Sequence, residues 1–211
     1  MKKIGIFGTS GFAREVGDIA FTLGFEPIYV ARDQNEADAL TFTGDVILER
    51  DIQMLSEADF AIGIGDNQVR SKVYARYLNQ LRFTNLIHPS ASFGRGQLAA
   101  FADRKGVIVC AGVRFTNNIQ VGNFTIFNLN ATIGHDVICE DFVNIAPGVN
   151  ISGNVHIEAG CWIGTGALIN QGDAETKLRI GTNTTVGSGT VVVKSCDHDA
   201  VYVGIPAKRI K

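Results

Sequence analysis

The sequence predicts two folds in series: a small α/β unit with a parallel sheet over residues 1–85, then a parallel β-helix over residues 86–211. Two observations predict it. As far as about residue 85, short apolar runs alternate with longer amphipathic ones, which is the grammar of βαβ units. From Val109 onward every sixth residue is apolar: Phe115, Val121, Phe127, Ile133, Cys139, Ile145, Ile151, Ile157, Ile163 and Ile169 follow. In a chain that is 45% hydrophobic, eleven hits in a row arise by chance on the order of 10⁻⁴, or about 10⁻³ over six frames. The run needs a structural cause.

In the first region KKIGIF reads as a strand and AREVGDIAFTLG as a helix ending at Gly24. EPIYVA is a second strand, ADFAIGIG a third, and NQVRSKVYARYLNQL a second strong helix. Together they predict a three-layer α/β domain with a parallel sheet.

In the second region a further column of the hexad stays small or β-branched: Val113, Ile119, Thr125, Ala131, Val137, Val143, Val149, Val155, Cys161 and Ala167. A parallel β-helix stacks the same hexad position in every coil, so one large aliphatic ladder fills the interior while the corner column stays slim. Three hexads make one triangular coil of about eighteen residues. The register breaks in QGDAETK, Gln171 to Lys177, and resumes at Ile180, Val186 and Val192. That predicts an external loop at one corner. The tail CDHDAVYVGIPAKRIK leaves the repeat and is expected to pack back over the last coil.

A formal net charge of -2 with no basic cluster leaves no electrostatic footprint for nucleic acid or an anionic membrane. The apolar start of MKKIGIFGTSGF is broken by glycine too early for a signal-peptide core or a membrane span. Cys110, Cys139, Cys161 and Cys196 are scattered without a CxxC pair, as expected of reduced thiols in a cytoplasmic protein.

His135 lies two residues past the interior Ile133, at an outward corner, and Asp136 follows it. A histidine there is not filling the core, and the carboxylate can orient its ring or stabilise an imidazolium. Gly153 lies eighteen residues on, so coil stacking places its amide beside His135. The whole run NLNATIGHDVICEDFVNIAPGVNISGNVHIEAGCWIGTG, together with GTSGFAREV, GIGDN, NLIHPSA and VGIPAKRI, resembles the sialic-acid O-acetyltransferase and bacillosamine-pathway N-acetyltransferase family of the hexapeptide-repeat superfamily. The resemblance covers essentially the full length and supplies the left hand of the β-helix, an exception to the right-handed crossover rule.

The resemblance implies acetyl-CoA as co-substrate and direct acyl transfer with His135 as general base and Asp136 supporting it. It also implies Asn144 and Gly153 around the acetyl group, Thr165 and Ser188 along the coenzyme A channel, and the tail from Pro206 to Arg209 against the coenzyme. At Asn144 the bacillosamine-type relatives usually carry a second histidine. Asparagine donates a hydrogen bond but does not titrate, so no proton relay is expected there.

In the first unit Gly8-Thr9-Ser10-Gly11 follows a strand and opens a helix, presenting backbone N–H groups to a phosphate. Ala13 replaces the third glycine of a dinucleotide fingerprint, and some 85 residues leave no room for the second half of a dinucleotide fold. NAD is therefore the lesser reading. The resemblance implies a nucleotide-activated sugar: Gly8, Ser10, Gly11 and Phe12 near the sugar and diphosphate, Arg32 and Asp33 near the base. Gly65, at the end of the third strand, falls on the same carboxyl edge. Bacillosamine-type relatives carry two acids where Arg32 and Asp33 stand, which leaves the base open.

The resemblance thus implies N-acetylation of a nucleotide-linked amino-dideoxy sugar, by analogy a 4-amino-4,6-dideoxyhexose, for bacterial surface glycan synthesis. The alternatives are O-acetylation of sialic acid or another sugar hydroxyl, and a non-enzymatic β-helix scaffold. Some β-helix proteins of this class are zinc enzymes with three histidines, but His135 has no second histidine at suitable spacing, so no metal is expected. His88, His156 and His198 read as a capping, an outward-strand and an exposed-tail residue. Flat prism faces and the family resemblance point to a homotrimer.

Overall fold

The computed structural model describes residues 1–173 and 175–211, and the chain divides into two compact units, Met1–Pro89 and Ser90–Lys211.

The first unit is built on four parallel strands: β1 (Lys2–Phe7), β2 (Phe25–Ala31), β3 (Asp45–Leu48) and β4 (Asp59–Ile62), in the order β3-β2-β1-β4. Its helices are α1 (Gly11–Thr22), α2 (Gln34–Asp38) and α3 (Asn67–Arg76). Ile4, Ile6 and Phe7 of β1 are all buried, as expected of a central parallel strand covered on both faces. β3 and α2 were not foreseen. DVIL is a four-residue run with one charge, and only its pairing to β2 distinguishes it from a loop. The chain fills one side of the sheet with β2 and β3 and then crosses to β4, so the topological switch point lies between β1 and β4. Ligands of open α/β sheets bind at that crevice.

The second unit is a left-handed parallel β-helix. Most coils are three two-residue strands, and their second residues form the interior ladder read from the sequence, from Val109 to Ile169, each at most 6% exposed. The slim corner column from Val113 to Ala167 is buried as well. Ile133 pairs with Ile151, and Ile151 with Ile169, a constant step of one coil. The step then lengthens: Ile157 pairs with Ile180, Ile163 with Val186 and Ile169 with Val192. The extra residues fall within the polar stretch from Gln171 to Lys177, of which Ala174 lies outside the described residues.

The tail corrects one expectation. It continues the repeat before closing it: Cys196 bridges to Ile180, and Val201–Val203 pairs in parallel with the strand Thr185–Val186. Lys208–Arg209 then turns back antiparallel on Tyr202 and Val203. Among the described residues no helix is long and apolar enough to cross a membrane. The four cysteines are free thiols in the interior. Burial pushes Cys161 up to about 12 and Cys196 up to about 11, which makes them inert hydrophobes rather than nucleophiles.

Candidate active site

The corner at His135 is shaped by its neighbours in sequence. Ile133 is drawn into the interior. Gly134 follows, where a Cβ would lie 2.6–2.9 Å from the main chain of Ile151, Ser152 and Gly153, so only glycine lets the next coil approach. His135 then projects outward, its side chain 46% exposed. Asp136 takes a left-handed conformation with φ 59°, which aspartate tolerates better than most residues.

That conformation turns the carboxylate back onto the ring. Oδ2 of Asp136 lies 2.6 Å from Nδ1 of His135, and Oδ1 accepts from the side-chain amide of Asn118 on the preceding coil. These hydrogen bonds, from His135 first and Asn118 second, hold the Asp136 carboxyl below its ordinary range. An ionised carboxylate only accepts, so the shared proton belongs to Nδ1 and the Nε2 lone pair is left for a substrate. Gly153 lies against the far side of the ring: a Cβ there would be 2.4 Å from Nε2. Among the described residues nothing accepts from the Gly153 N–H. A basic nitrogen and an uncommitted amide therefore stand side by side, the pairing an acyl transfer needs.

The remaining β-helix candidates stand elsewhere. Thr165 and Ser188 stack on consecutive coils, each two residues past a paired interior residue, and both are exposed. Their corner follows the strands Trp162–Ile163 and Thr185–Val186, whereas the His135 corner follows Thr132–Ile133. One prism thus carries the two groups on different corners. Asn144 lies in a strand between Ile126 and Trp162, on another face from the strand leading to His135, and is 3% exposed.

In the first unit the predicted residues gather at the carboxyl edge. Gly8 has φ 106°, and a Cβ there would press within 3.1–3.2 Å of Ile64 and the Gly63 carbonyl. The loops after β1 and β4 therefore touch at the switch point, with Gly65 in the second of them. Ser10 is the N-cap of α1 but makes no side-chain capping hydrogen bond, which leaves the first turn open to an anion. Gly11 is exposed and Phe12 half-buried. Ala13 serves without a third glycine because Gly63 provides the close approach: a Cβ on Gly63 would meet Cα of Ala13 at 2.7 Å.

Arg32 and Asp33 follow β2 and pair at 2.9 Å. Asp33 is also the N-cap of α2, accepting from the Glu36 N–H at 2.9 Å. Its carboxyl is held below its usual range, first by that backbone hydrogen bond and then by Arg32. A residue expected at the nucleotide base is thus partly engaged in capping.

Sequence reasoning missed several participants. Glu36 accepts from the Arg32 N–H at 2.8 Å and the Thr9 hydroxyl at 3.2 Å, tying the two loops together. Its signal was present, since Asp33 and Glu36 have capping-box spacing. Arg70 on α3 is fully buried and donates to the carbonyls of Ile64 at 3.0 Å and Gly65 at 2.8 Å. Burial brings its guanidinium down to about 10. Asn118 could have been found by counting back one coil from Asp136. Lys177, read as part of a polar loop, donates from Nζ to the Asp136 carbonyl at 2.6 Å.

Residues 3–77 match the family model described as the PglD N-terminal domain. Over the whole length the fold matches WeeI from Acinetobacter baumannii AYE, at 27% identity and TM-score 0.87, with all of both chains covered. It also matches the acetyltransferase domain of PglB from Neisseria gonorrhoeae FA1090 in complex with acetyl coenzyme A, at 26% identity and TM-score 0.86 over 99% of both chains. The first unit thus carries the PglD N-terminal domain, and the whole chain has the fold of these acetyltransferases. A perosamine N-acetyltransferase variant from Caulobacter crescentus, in complex with CoA and GDP-perosamine, shares the fold at 24% identity and TM-score 0.84, with 100% of this chain and 98% of that one covered. In this chain the base-like histidine and the open amide lie on the β-helix, and the phosphate-type loop lies on the PglD-like unit.

Proposed function

We propose that the chain transfers the acetyl group of acetyl-CoA to the amino group of a nucleotide-linked amino-dideoxy sugar, a 4-amino-4,6-dideoxyhexose by analogy. The amine attacks the thioester carbonyl carbon while Nε2 of His135 takes its proton. The Gly153 N–H steadies the oxyanion of the tetrahedral intermediate. Collapse expels the coenzyme as a thiolate, which is protonated from the imidazolium. Asp136 keeps the ring in the tautomer this requires. The β-helix carries out the transfer, and the first unit holds the nucleotide by the open turn of α1, the Gly8 loop and the Arg32–Asp33 corner.

The observation that carries this reading is Nε2 of His135, freed by Asp136 on Nδ1 and lying against Gly153 with its unused N–H. Thr165 and Ser188 on a different corner from His135 support a coenzyme bound between neighbouring prisms of a homotrimer. Leu129, Trp162 and Leu168, each between 37% and 43% exposed, surround the Thr165 corner and suit such packing.

The deciding experiment presents acetyl-CoA with UDP-, dTDP- and GDP-linked amino sugars and with free sialic acid, and follows thiol release. Turnover with one nucleotide amino sugar is expected. Turnover with sialic acid alone would make the protein an O-acetyltransferase. Calorimetry showing no acetyl-CoA binding would leave only a scaffold. Sedimentation is expected to show a trimer, and a fully active monomer would overturn the shared site.

A further inference from the structure

Past Ile169 the register break inserts extra chain at the same corner as His135: Gln171 stands two residues past Ile169, as Gly153 does past Ile151 and His135 past Ile133. The insertion is tied to that corner, since Gly172 donates to the Gly153 carbonyl at 3.1 Å and Leu178 to the Asn154 carbonyl at 3.0 Å. Its last residue, half-buried Lys177, reaches back across the Gly153 coil to bond the Asp136 carbonyl at 2.6 Å.

We propose that Lys177 is a positioning residue for the base: its ammonium pins the insertion onto the catalytic corner and biases the His135–Asp136 pair toward a neutral imidazole facing an ionised carboxylate. The inference rests on the function proposed above. A general base is useful only while unprotonated, and Asp136 alone would favour the imidazolium. A cation on the same residue offsets that pull. The Asp136 carboxyl is lowered in part by the Lys177 charge, in keeping with the geometry.

Among the described residues the other groups named near the ring supply no such cation. Asn118, from the preceding coil, is neutral, and the following coil presents the main chain of Gly153. Within the insertion the Asp173 carboxylate accepts from the main-chain N–H of Glu175 and Thr176, and Glu175 is exposed. Lys194 occupies the same corner one coil beyond Gln171.

The test uses the full chain with Lys177→Met and Lys177→Arg, compared with wild type at low ionic strength. Two quantities are read: the NMR titration midpoint of the His135 ring and the acid limb of the pH profile of kcat/KM. Lys177→Met is expected to move both to higher pH by about half a unit, less in 0.5 M NaCl, and Lys177→Arg to leave both in place. A role confined to anchoring the loop would lower the rate without moving either midpoint. Coincident midpoints in wild type and Lys177→Met overturn the assignment whatever the activity. A shifted midpoint in a protein that acetylates no acceptor would instead overturn the proposed function and leave Lys177 in its place. A Lys177→Met chain that does not fold would be replaced by Lys177→Gln, for which the same shift is required.

Discussion

The His135 imidazole fills the space that a side chain at position 153 would need, since a Cβ on Gly153 would stand 2.4 Å from Nε2 and 2.5 Å from Cε1. The backbone at Gly153 is not left-handed, so the demand for glycine is steric and comes from the ring.

Gly153→Ala is therefore expected to fold normally and to swing the exposed imidazole off its productive position. Displacing a base by about 1 Å costs on the order of 10²-fold in rate. Steady-state kinetics beside a thermal melt will show whether kcat falls while Tm holds. Unchanged kcat would mean that the ring is not used where it stands.

Removing the proposed base outright, His135→Ala, should lower kcat by roughly 10²–10⁴-fold with acetyl-CoA affinity by calorimetry little changed. His198→Ala is the control. Its ring also pairs with the next aspartate, at 3.0 Å to Asp199, which accepts from Asn183 at 3.1 Å. The neighbouring Gly181 faces the His198 main chain rather than its ring, a Cβ there lying 2.5 Å from the His198 nitrogen, and the substitution should leave turnover intact.

Ile151 belongs to the interior ladder between Ile133 and Ile169 and is 3% exposed. Ile151→Asp buries an unpaired carboxylate there and should destabilise the prism by about 4 kcal/mol or more. Circular dichroism is expected to show a collapsed Tm or no folded protein. A melt within a few degrees of wild type would contradict the stacked core.

Glu158 is 8% exposed, and the Arg179 side chain, followed by the Thr182 hydroxyl and N–H, brings its carboxyl down to about 2 from an ordinary 4.5. A depressed carboxylate contributes stability above its unfolded value and loses it as pH falls toward the folded one. Glu158→Gln should therefore cost roughly 1–2 kcal/mol at pH 7, allowing for solvent around exposed Arg179. The difference in Tm from wild type should narrow between about pH 4.5 and pH 2. A gap independent of pH would mean that the ion pair contributes nothing.

Much of the fold was legible because a β-helix converts a spatial neighbour into a sequence interval. Once Ile133 is assigned to the interior, Gly153 beside His135 follows by counting. The same arithmetic fails at Lys177, which lies beyond the register break, where a polar segment carries no period. It fails again for Arg70: a charged residue in a mostly polar helix reads as solvated, and its burial depends on the Ile64 and Gly65 carbonyls turning inward to receive it. β3 escaped for a related reason, because a short edge strand is defined by the partner it hydrogen-bonds rather than by its own composition.

The order of residues by itself determined the two-part architecture, the interior ladder and the placing of His135 outward with Asp136 behind it. These are consequences of periodicity, which acts along the chain. Tertiary structure alone decided that Asp136 turns back onto Nδ1, that Lys177 returns to the Asp136 carbonyl, that Asp33 caps a helix, and that Thr165 and Ser188 occupy a different corner from His135. Each of these depends on a left-handed turn, an insertion or a cap whose partner is fixed only when the coils and loops have closed in space.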